Sequence, residues 1–248
     1  MIRTPVCDLL GLEHPIALGG MGSIYAPDLV SAVSNAGGLG AMGCHYLTPE
    51  QLRTGVAAIR DKTNKAFALN FLIFDMREDS FATALELRPP AMAFGWARPD
   101  QDLRPVLGRA HAAGCKVTFM VSGVPEARRA VEAGADVIIA QGTEGGGHVG
   151  WQASLPLIPV IVDAVAPVPV LAARSIADGL VDHGFDTLAV TTGAEALRRL
   201  ETEAFDAVVT DLRIPEIDGM QILVRARQLE PARPVIVEIA ACAEQPLQ

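Results

Sequence analysis

A short glycine-rich segment near the amino terminus is suited to binding a flat ligand. Gly19, Gly20, Met21 and Gly22 directly follow the apolar run Pro15–Leu18. Glycines let the main chain approach a planar ring closely, and the Met21 thioether supplies a polarisable apolar surface. These residue types, in this order, predict ligand contacts at Gly20, Met21 and Gly22.

A second glycine-rich segment combines a flexible loop with a group that exchanges protons. Gly145, Gly146 and Gly147 form an uninterrupted run that ends at His148. Three successive glycines can wrap around a ligand and present backbone N–H groups to it. The imidazole of His148 titrates near neutral pH, which suits proton transfer. The segment therefore predicts a ligand-binding loop that carries a candidate base.

One amide lies inside an otherwise apolar stretch. Asn70 is the polar residue of ALNFLIF at positions 68–74. An amide in such surroundings needs partners for both its donor and its acceptor. Two interpretations of Asn70 stay open from the residues alone: a satisfied core amide, or a group that contacts the polar edge of a ligand.

The elements that must position these residues alternate regularly along the chain. Short apolar runs alternate with amphipathic helical patterns, which is typical of βαβ units and a parallel sheet. The predicted strands are Pro15–Leu18, Leu39–Gly43, Ala66–Ile73, Ala91–Gly95, Lys116–Val121, Asp136–Ala140, Val168–Ala172, Thr187–Val190, Asp206–Thr210 and Pro234–Ile239. In a parallel barrel the residues that follow the strands form the working face. Both glycine-rich segments are therefore expected at that face.

Length and composition favour a large α/β protein. The chain has 248 residues, close to the roughly 250 of a single (β/α)8 barrel, but ten predicted strands exceed the eight that such a barrel uses. Half of the residues are hydrophobic and 20% are charged, with a mean hydropathy of +0.30. This composition supports a large core and excludes intrinsic disorder.

Charge and targeting signals exclude several classes of protein. The net charge is −9, and without a basic patch such a surface repels nucleic acid and anionic membranes. No apolar run approaches the roughly 18 residues of a membrane span. The amino terminus lacks the apolar core of a signal peptide, and the four cysteines form no C-x-x-C pair. We therefore expect a soluble, reduced, cytoplasmic protein with no nucleic-acid or membrane partner, in an undetermined oligomeric state.

Most of the chain resembles a known family of flavin barrels. The segments HPIALGGMG at 14–22, AVSNAGGLGAMG at 32–43, ALNFLIF at 68–74 and GADVIIAQGTEGGGHVG at 134–150 follow one another in the family's order. Together they are similar to the nitronate monooxygenase (2-nitropropane dioxygenase-like) family, over about residues 1–179. The resemblance implies a TIM-barrel-like (β/α) fold that binds FMN.

The resemblance also implies roles for individual residues. Asn70, Gln141 and Gly146 match FMN contacts of the family, with Gly147 in the same loop, and His148 matches its catalytic base. The implied reaction is the oxidation of nitronates or nitroalkanes by O2, with the flavin performing the redox chemistry. The implied partners are thus a small nitro compound and O2, and no metal.

The chain departs from the family where the FMN phosphate is held. The family continues the run VPVLAA, here 168–173, into two glycines, whereas Arg174 and Ser175 occupy those positions here. Side chains there obstruct close approach of a phosphate, although Arg174 offers a charge partner. Two alternatives to the nitronate monooxygenase function follow: an enzyme like the related flavin enoyl-acyl-carrier-protein reductases, or a scaffold without activity.

The remaining segment resembles a different α/β family. Residues 180–241 are similar to the response-regulator receiver domain, a flavodoxin-like fold, and Asp211 matches its phospho-accepting aspartate. The family's acidic pair and its later lysine are absent, since no lysine follows Lys116. Asp211 is therefore expected to be structural. We predict a partial FMN barrel over 1–173, completed or extended by receiver-like βα units over 174–248, with VPVLAA serving both.

Overall fold

The structure is a computed structural model whose described residues fall into two compact units. It describes residues 3–21, 25–143, 150–173, 186, 188, 190, 192–211, 217, 219–231 and 235–238. The first unit is Met1–Arg174 and the second is Ser175–Gln248. In the described part of the chain, no helix is long and apolar enough to cross a membrane.

The first unit is built on a parallel sheet whose strands follow the order of the chain. The strands are β1 Gly40–Gly43, β2 Phe67–Leu72, β3 Ala91–Gly95, β4 Lys116–Val121, β5 Val137–Gln141 and β6 Val170–Ala173. Each strand pairs in parallel with the next. Nearly continuous apolar runs form these strands because both faces are covered by protein. The prediction of a parallel, barrel-like α/β fold is confirmed.

The first predicted strand, Pro15–Leu18, is much shorter than expected. It contributes a single parallel bridge between Ala17 and Leu39. The Leu18 N–H donates to Leu39 O at 2.9 Å, and the Leu39 N–H donates to Ile16 O at 2.9 Å. Pro15 has no N–H to extend the pairing, and glycines follow at once. Of the predicted strand Thr187–Val190, Thr187 and Ala189 lie outside the described residues.

Helices follow the strands as the βαβ pattern predicts. They are α1 Pro5–Leu10, α2 Pro27–Asn35, α3 Pro49–Lys62, α4 Glu78–Glu86, α5 Arg104–Ala112, α6 Val124–Glu132 and α7 Ser154–Val165, with a 3₁₀ turn at Ile73–Asp75. Proline within the first turn of several helices suits the fixed φ angle of that residue. At α3 the Thr48 and Gln51 side chains form a reciprocal capping box, which satisfies two otherwise free N–H groups.

The two faces of the sheet are packed by residues of very different size. The face toward the helices carries Phe71, Phe94 and Phe119, and Phe81 of α4 meets the first two in edge-to-face contacts with ring centroids 6.1 and 6.0 Å apart. On β1, β2 and β3 the inner face carries small side chains: Ala41, Ala68, Ala91 and Ala93.

Helix α1 packs against this inner face. Val6, Cys7 and Leu10 belong to the same buried cluster as Leu39 and Ala91, which lie at the amino ends of their strands. The amino end of the half-barrel is therefore filled by protein. Its carboxyl end, where barrels carry their active sites, is left for the loops.

The second unit has its own small sheet. Strands β7 Val208–Asp211 and β8 Val235–Glu238 pair in parallel, as predicted from the runs at Asp206–Thr210 and Pro234–Ile239. Helices α8 Gly193–Thr202 and α9 Gly219–Leu229 accompany them, and Leu200, Ile222 and Ala226 form their buried cluster. Asp211 is the last residue of β7, so its position at a strand's carboxyl end is as predicted.

Candidate functional site

The register of the sheet places one row of residues across the inner face. Gly43 of β1 is paired with Asn70 of β2, which is paired with Ala93 of β3, and Ala93 with Thr118 of β4. Side chains in one such row point to the same face of a sheet. Asn70 and Thr118 are therefore polar neighbours across a single alanine.

Gly20 and Asn70, both predicted ligand contacts, lie against each other. A side-chain carbon on Gly20 would overlap Asn70 Cβ, Cγ and Oδ1. Asn70 is 5% exposed, and its Nδ2 donates a long hydrogen bond of 3.4 Å to Ala93 O. The loop after the first bridge thus crosses directly over the amide in β2. Met21 is half-buried beside Gly20, and Gly22 lies outside the described residues.

The residues beside Asn70 on the inner face are small. Ala41 and Gly43 on β1, and Ala93 and Gly95 on β3, leave little side-chain volume around Asn70. Large residues would fill this space as they do on the outer face. A shallow, apolar surface with a buried amide fits the ring of a flavin, which has flat apolar faces and a polar edge.

Gln141, predicted as a second amide contact, ends β5 and is 5% exposed. It lines a narrow cleft at the carboxyl ends of three strands, together with Trp96, Met120, Val121, Ser122 and Glu126. Trp96 follows β3 and has a φ of 59°. A bulky residue in this left-handed region is strained, and such strain is concentrated at functional sites. Trp96 is a site residue that the sequence analysis did not identify.

The loop that carries the glycine run is anchored at both described ends. The Thr143 N–H donates to Gln152 O at 2.9 Å. A side-chain carbon on Gly150 would overlap Ser122 Cβ, and the N–H and O–H of Ser122 donate to Glu126 Oε2 at 2.8 and 3.0 Å. The chain therefore leaves from the end of β5 and returns beside the end of β4. The predicted residues Gly146, Gly147 and His148 themselves lie outside the described residues.

Two buried residues, Cys44 and His45, directly follow β1. Burial raises the pKa of the Cys44 thiol, so this cysteine is not a nucleophile. Its N–H donates to Asn70 O at 2.9 Å and its Sγ to Met42 O at 3.2 Å. His45 is 2% exposed and contacts the Tyr46 ring edge-on, with centroids 4.4 Å apart. Because His45 follows a strand, its place in the sequence predicts that it lies at the face where barrels carry their active sites.

Comparison with known families shows to which family the chain belongs. The model of the nitronate monooxygenase family matches residues 3–86 and 81–198. The chain belongs to the nitronate monooxygenase family. The model of the response regulator receiver domain matches residues 169–245. Both predicted resemblances are thereby confirmed.

The two family matches overlap on residues 169–198. Strand β6, Val170–Ala173, lies within the overlap and pairs with β5 in the barrel sheet. The segment VPVLAA thus serves as a barrel strand. Arg174 and Ser175, which replace the family's glycines, lie outside the described residues.

Individual relatives of this nitronate monooxygenase family member differ in their named activities. A (3aS,4S,5R,7aS)-5-hydroxy-7a-methyl-1-oxo-octahydro-1H-indene-4-carboxyl-CoA dehydrogenase of Mycobacterium tuberculosis is 36% identical over 181 residues, covering 72% of this chain and 50% of that protein. A probable nitronate monooxygenase of Staphylococcus aureus is 29% identical over 223 residues, covering 71% and 62%. The chain thus spans about half to three fifths of these relatives.

Solved structures support the same fold. FabK from Thermotoga maritima is 27% identical, with a TM-score of 0.64 over 96% of this chain and 62% of FabK. A nitroalkane oxidase from Streptomyces ansochromogenes has a TM-score of 0.58 over 80% of this chain and 64% of its own. At 23% identity, the latter likeness concerns the fold alone.

Proposed function

We propose that this chain is an FMN-dependent oxidoreductase that oxidises nitronates or nitroalkanes with O2. The observation that carries the proposal is the packing of Gly20 over the buried Asn70 on a surface of alanines and glycines. A flat ring with a polar edge would lie against these small residues and hydrogen-bond to the Asn70 amide.

The cofactor would be held by main chain on one side and by amides on the other. Gly20, Met21 and Gly22 would supply the close backbone approach, while Asn70 and Gln141 would contact polar atoms of the ring. Gly146 and Gly147 would close the loop over it. When bound, the flavin accepts electrons from the substrate and passes them to O2.

The chain's own contribution is to position the substrate and to take up a proton. His148 would accept the proton from the carbon that bears the nitro group, as the family resemblance implies. The described residues on either side of the loop lie at the carboxyl ends of two strands, since Thr143 follows β5 and Gly150 packs against Ser122, which follows β4. Such positioning is a large part of what a protein adds to cofactor chemistry.

The phosphate end of the cofactor depends on Arg174. Its guanidinium would replace the backbone N–H groups of the family's glycines with a charge-assisted contact. A side chain must be ordered for this contact, which costs conformational entropy that a glycine loop avoids. We therefore expect weaker FMN binding than a glycine cradle would give.

The test is oxygen consumption by the purified full chain loaded with FMN, without NAD(P)H, using 2-nitropropane and, separately, its deprotonated form propyl-2-nitronate. We expect turnover by the wild type. His148→Ala should retain the flavin spectrum, lose turnover of the nitroalkane and keep turnover of the nitronate. His14→Ala, on the amino side of the bridge between Ala17 and Leu39, should match the wild type. Wild-type chain that binds FMN but consumes no oxygen with any nitronate would contradict the nitronate activity.

A second candidate function is oxidation or reduction of a thioester substrate. It is favoured by the 36% identity to a carboxyl-CoA dehydrogenase, which exceeds the 29% identity to a nitronate monooxygenase. An enoyl-acyl-carrier-protein-reductase-like activity belongs to the same class and needs NAD(P)H. Anaerobic mixing separates the candidates: bleaching of the flavin by a nitronate supports the first, and bleaching by NAD(P)H or an acyl-CoA supports the second.

A further inference from the structure

One buried hydroxyl on the inner face has no hydrogen-bond partner in the part of the chain that the structure describes. Thr118 lies in β4 and is 1% exposed, yet no described donor or acceptor reaches its Oγ1. Buried polar groups are nearly always paired, because an unpaired one loses its bonds to water without replacement. The hydroxyl of Thr118 therefore lacks a hydrogen-bond partner that the described residues could supply.

The neighbours of Thr118 indicate where that group would lie. Ala93 separates Thr118 from Asn70 in the row across the sheet. The Asn70 amide leans toward β3, since its Nδ2 bonds to Ala93 O at 3.4 Å. Only a methyl group stands between the two polar side chains. One ligand edge lying over Ala93 would reach both of them.

The residues further toward the carboxyl end leave a path to this row. Gly43 and Gly95 have no side chains, and in β4 the next inward-facing residue is Met120. Methionine is unbranched and flexible, so its thioether adapts to a neighbour at little cost. A ring that enters from the carboxyl end thus meets one adaptable side chain before it reaches Thr118.

We propose that Thr118 is a further flavin-binding residue, whose hydroxyl donates a hydrogen bond to the polar edge of the ring beside Asn70. The inference rests on the proposed function, because it concerns the same cofactor. It adds a residue from a fourth strand to the contacts on the first bridge, β2 and β5. In the protein without FMN, the unpaired Thr118 hydroxyl lowers the free energy of unfolding.

The test compares Thr118→Val, which keeps the shape and removes the hydroxyl, with the wild-type full chain. Without FMN, Thr118→Val should unfold at a higher urea concentration, because an unpaired buried hydroxyl has been removed. In an FMN fluorescence titration, its Kd should rise about tenfold, equivalent to about 1.4 kcal/mol. Thr118→Ser should keep wild-type affinity, and Thr83→Val in α4 should leave the Kd unchanged.

The other outcomes separate this inference from the proposed function. If Thr118→Val unfolds at a lower urea concentration without FMN, the hydroxyl is already paired and the inference is wrong. If the wild type and Thr118→Val bind FMN equally, the inference is wrong and the proposed function stands. If the wild type fails to bind FMN, the proposed function is wrong and the role of Thr118 falls with it.

Discussion

Gly20 crosses so closely over Asn70 that any side-chain carbon at position 20 would overlap the Asn70 amide. The two residues lie 50 positions apart in the sequence, on different βα units. Their contact joins the loop after the first bridge to the middle of the inner face. A glycine is required at position 20 because of this approach, with no positive φ involved.

The first prediction concerns Gly20→Ala. The added methyl must displace the Asn70 side chain, which sits in a buried row and has little room to move. We expect FMN affinity to fall at least tenfold and stability to fall by about 1–3 kcal/mol, as for other overpacked sites. Gly19→Ala is the matched control, since its Cβ would have nothing within 4 Å. Fluorescence titration and urea unfolding measure the two effects, and equal behaviour of both variants would refute the contact.

A second prediction concerns the anchor of the loop. Gly150→Ala places a carbon onto Ser122 Cβ, so the loop base must shift away from β4. We expect a loss of about 1–3 kcal/mol of stability and a fall in nitroalkane turnover of more than tenfold, because the loop carries the proposed base His148.

A double mutant tests the physical cause of that effect. Ser122→Gly removes the atom that Gly150→Ala meets, so the pair should recover part of the activity and stability lost by Gly150→Ala alone. Coupling of this kind is expected for residues in contact and is measured by a double-mutant cycle. Additive losses would show that Gly150 and Ser122 are not in contact. Gly123→Ala, whose Cβ would make an ordinary 3.7 Å contact with Pro125, serves as the control.

A third prediction uses the protonation of Cys44. Burial raises the pKa of this thiol above its ordinary value of 9.0, so it stays protonated when a free cysteine ionises. Iodoacetamide at pH 9 should leave Cys44 unmodified in the folded protein and modify it in 6 M urea, as mapped by peptide mass spectrometry. Rapid labelling of the folded chain at Cys44 would contradict its burial.

The same shift gives stability a definite pH dependence. Because the folded-state pKa is raised, the unfolded chain loses the Cys44 proton first as the pH rises. Stability from this group is complete below pH 9.0, the ordinary value for a thiol, and declines above it. Urea midpoints at pH 8 and pH 10 should therefore differ less for Cys44→Ser than for the wild type.

The sequence predicted the strands well because each is an apolar run bounded by turn residues. The predicted Ala91–Gly95 and Lys116–Val121 coincide with β3 and β4. Pro15–Leu18 was an exception, because its pairing is limited by Pro15 and the following glycines rather than by its apolar residues. In the predicted strand Thr187–Val190, the described residues Leu188 and Val190 are not in a strand. The hydrophobic pattern alone does not show how far the pairing of a strand extends.

The candidate site was only partly predictable. Gly20, Asn70 and Gln141 were predicted from their residue types or their resemblance to the family, and the structure brings Gly20 against Asn70. Thr118 was missed, because a strand covered on both faces shows no alternation that would identify its inward residues. Only the register with Asn70 places the Thr118 hydroxyl on the inner face. Trp96 was missed because its backbone conformation cannot be read from composition.

Equilibrium binding of FMN to the purified full chain tests the central claim most directly. We predict that FMN fluorescence is quenched saturably by the wild type, with one site per chain. Asn70→Ala should weaken binding tenfold to a hundredfold, for the loss of a buried hydrogen bond of about 1–3 kcal/mol. A wild-type chain that leaves FMN fluorescence unchanged at millimolar protein, or one that binds FMN as tightly without the Asn70 amide, would contradict the account.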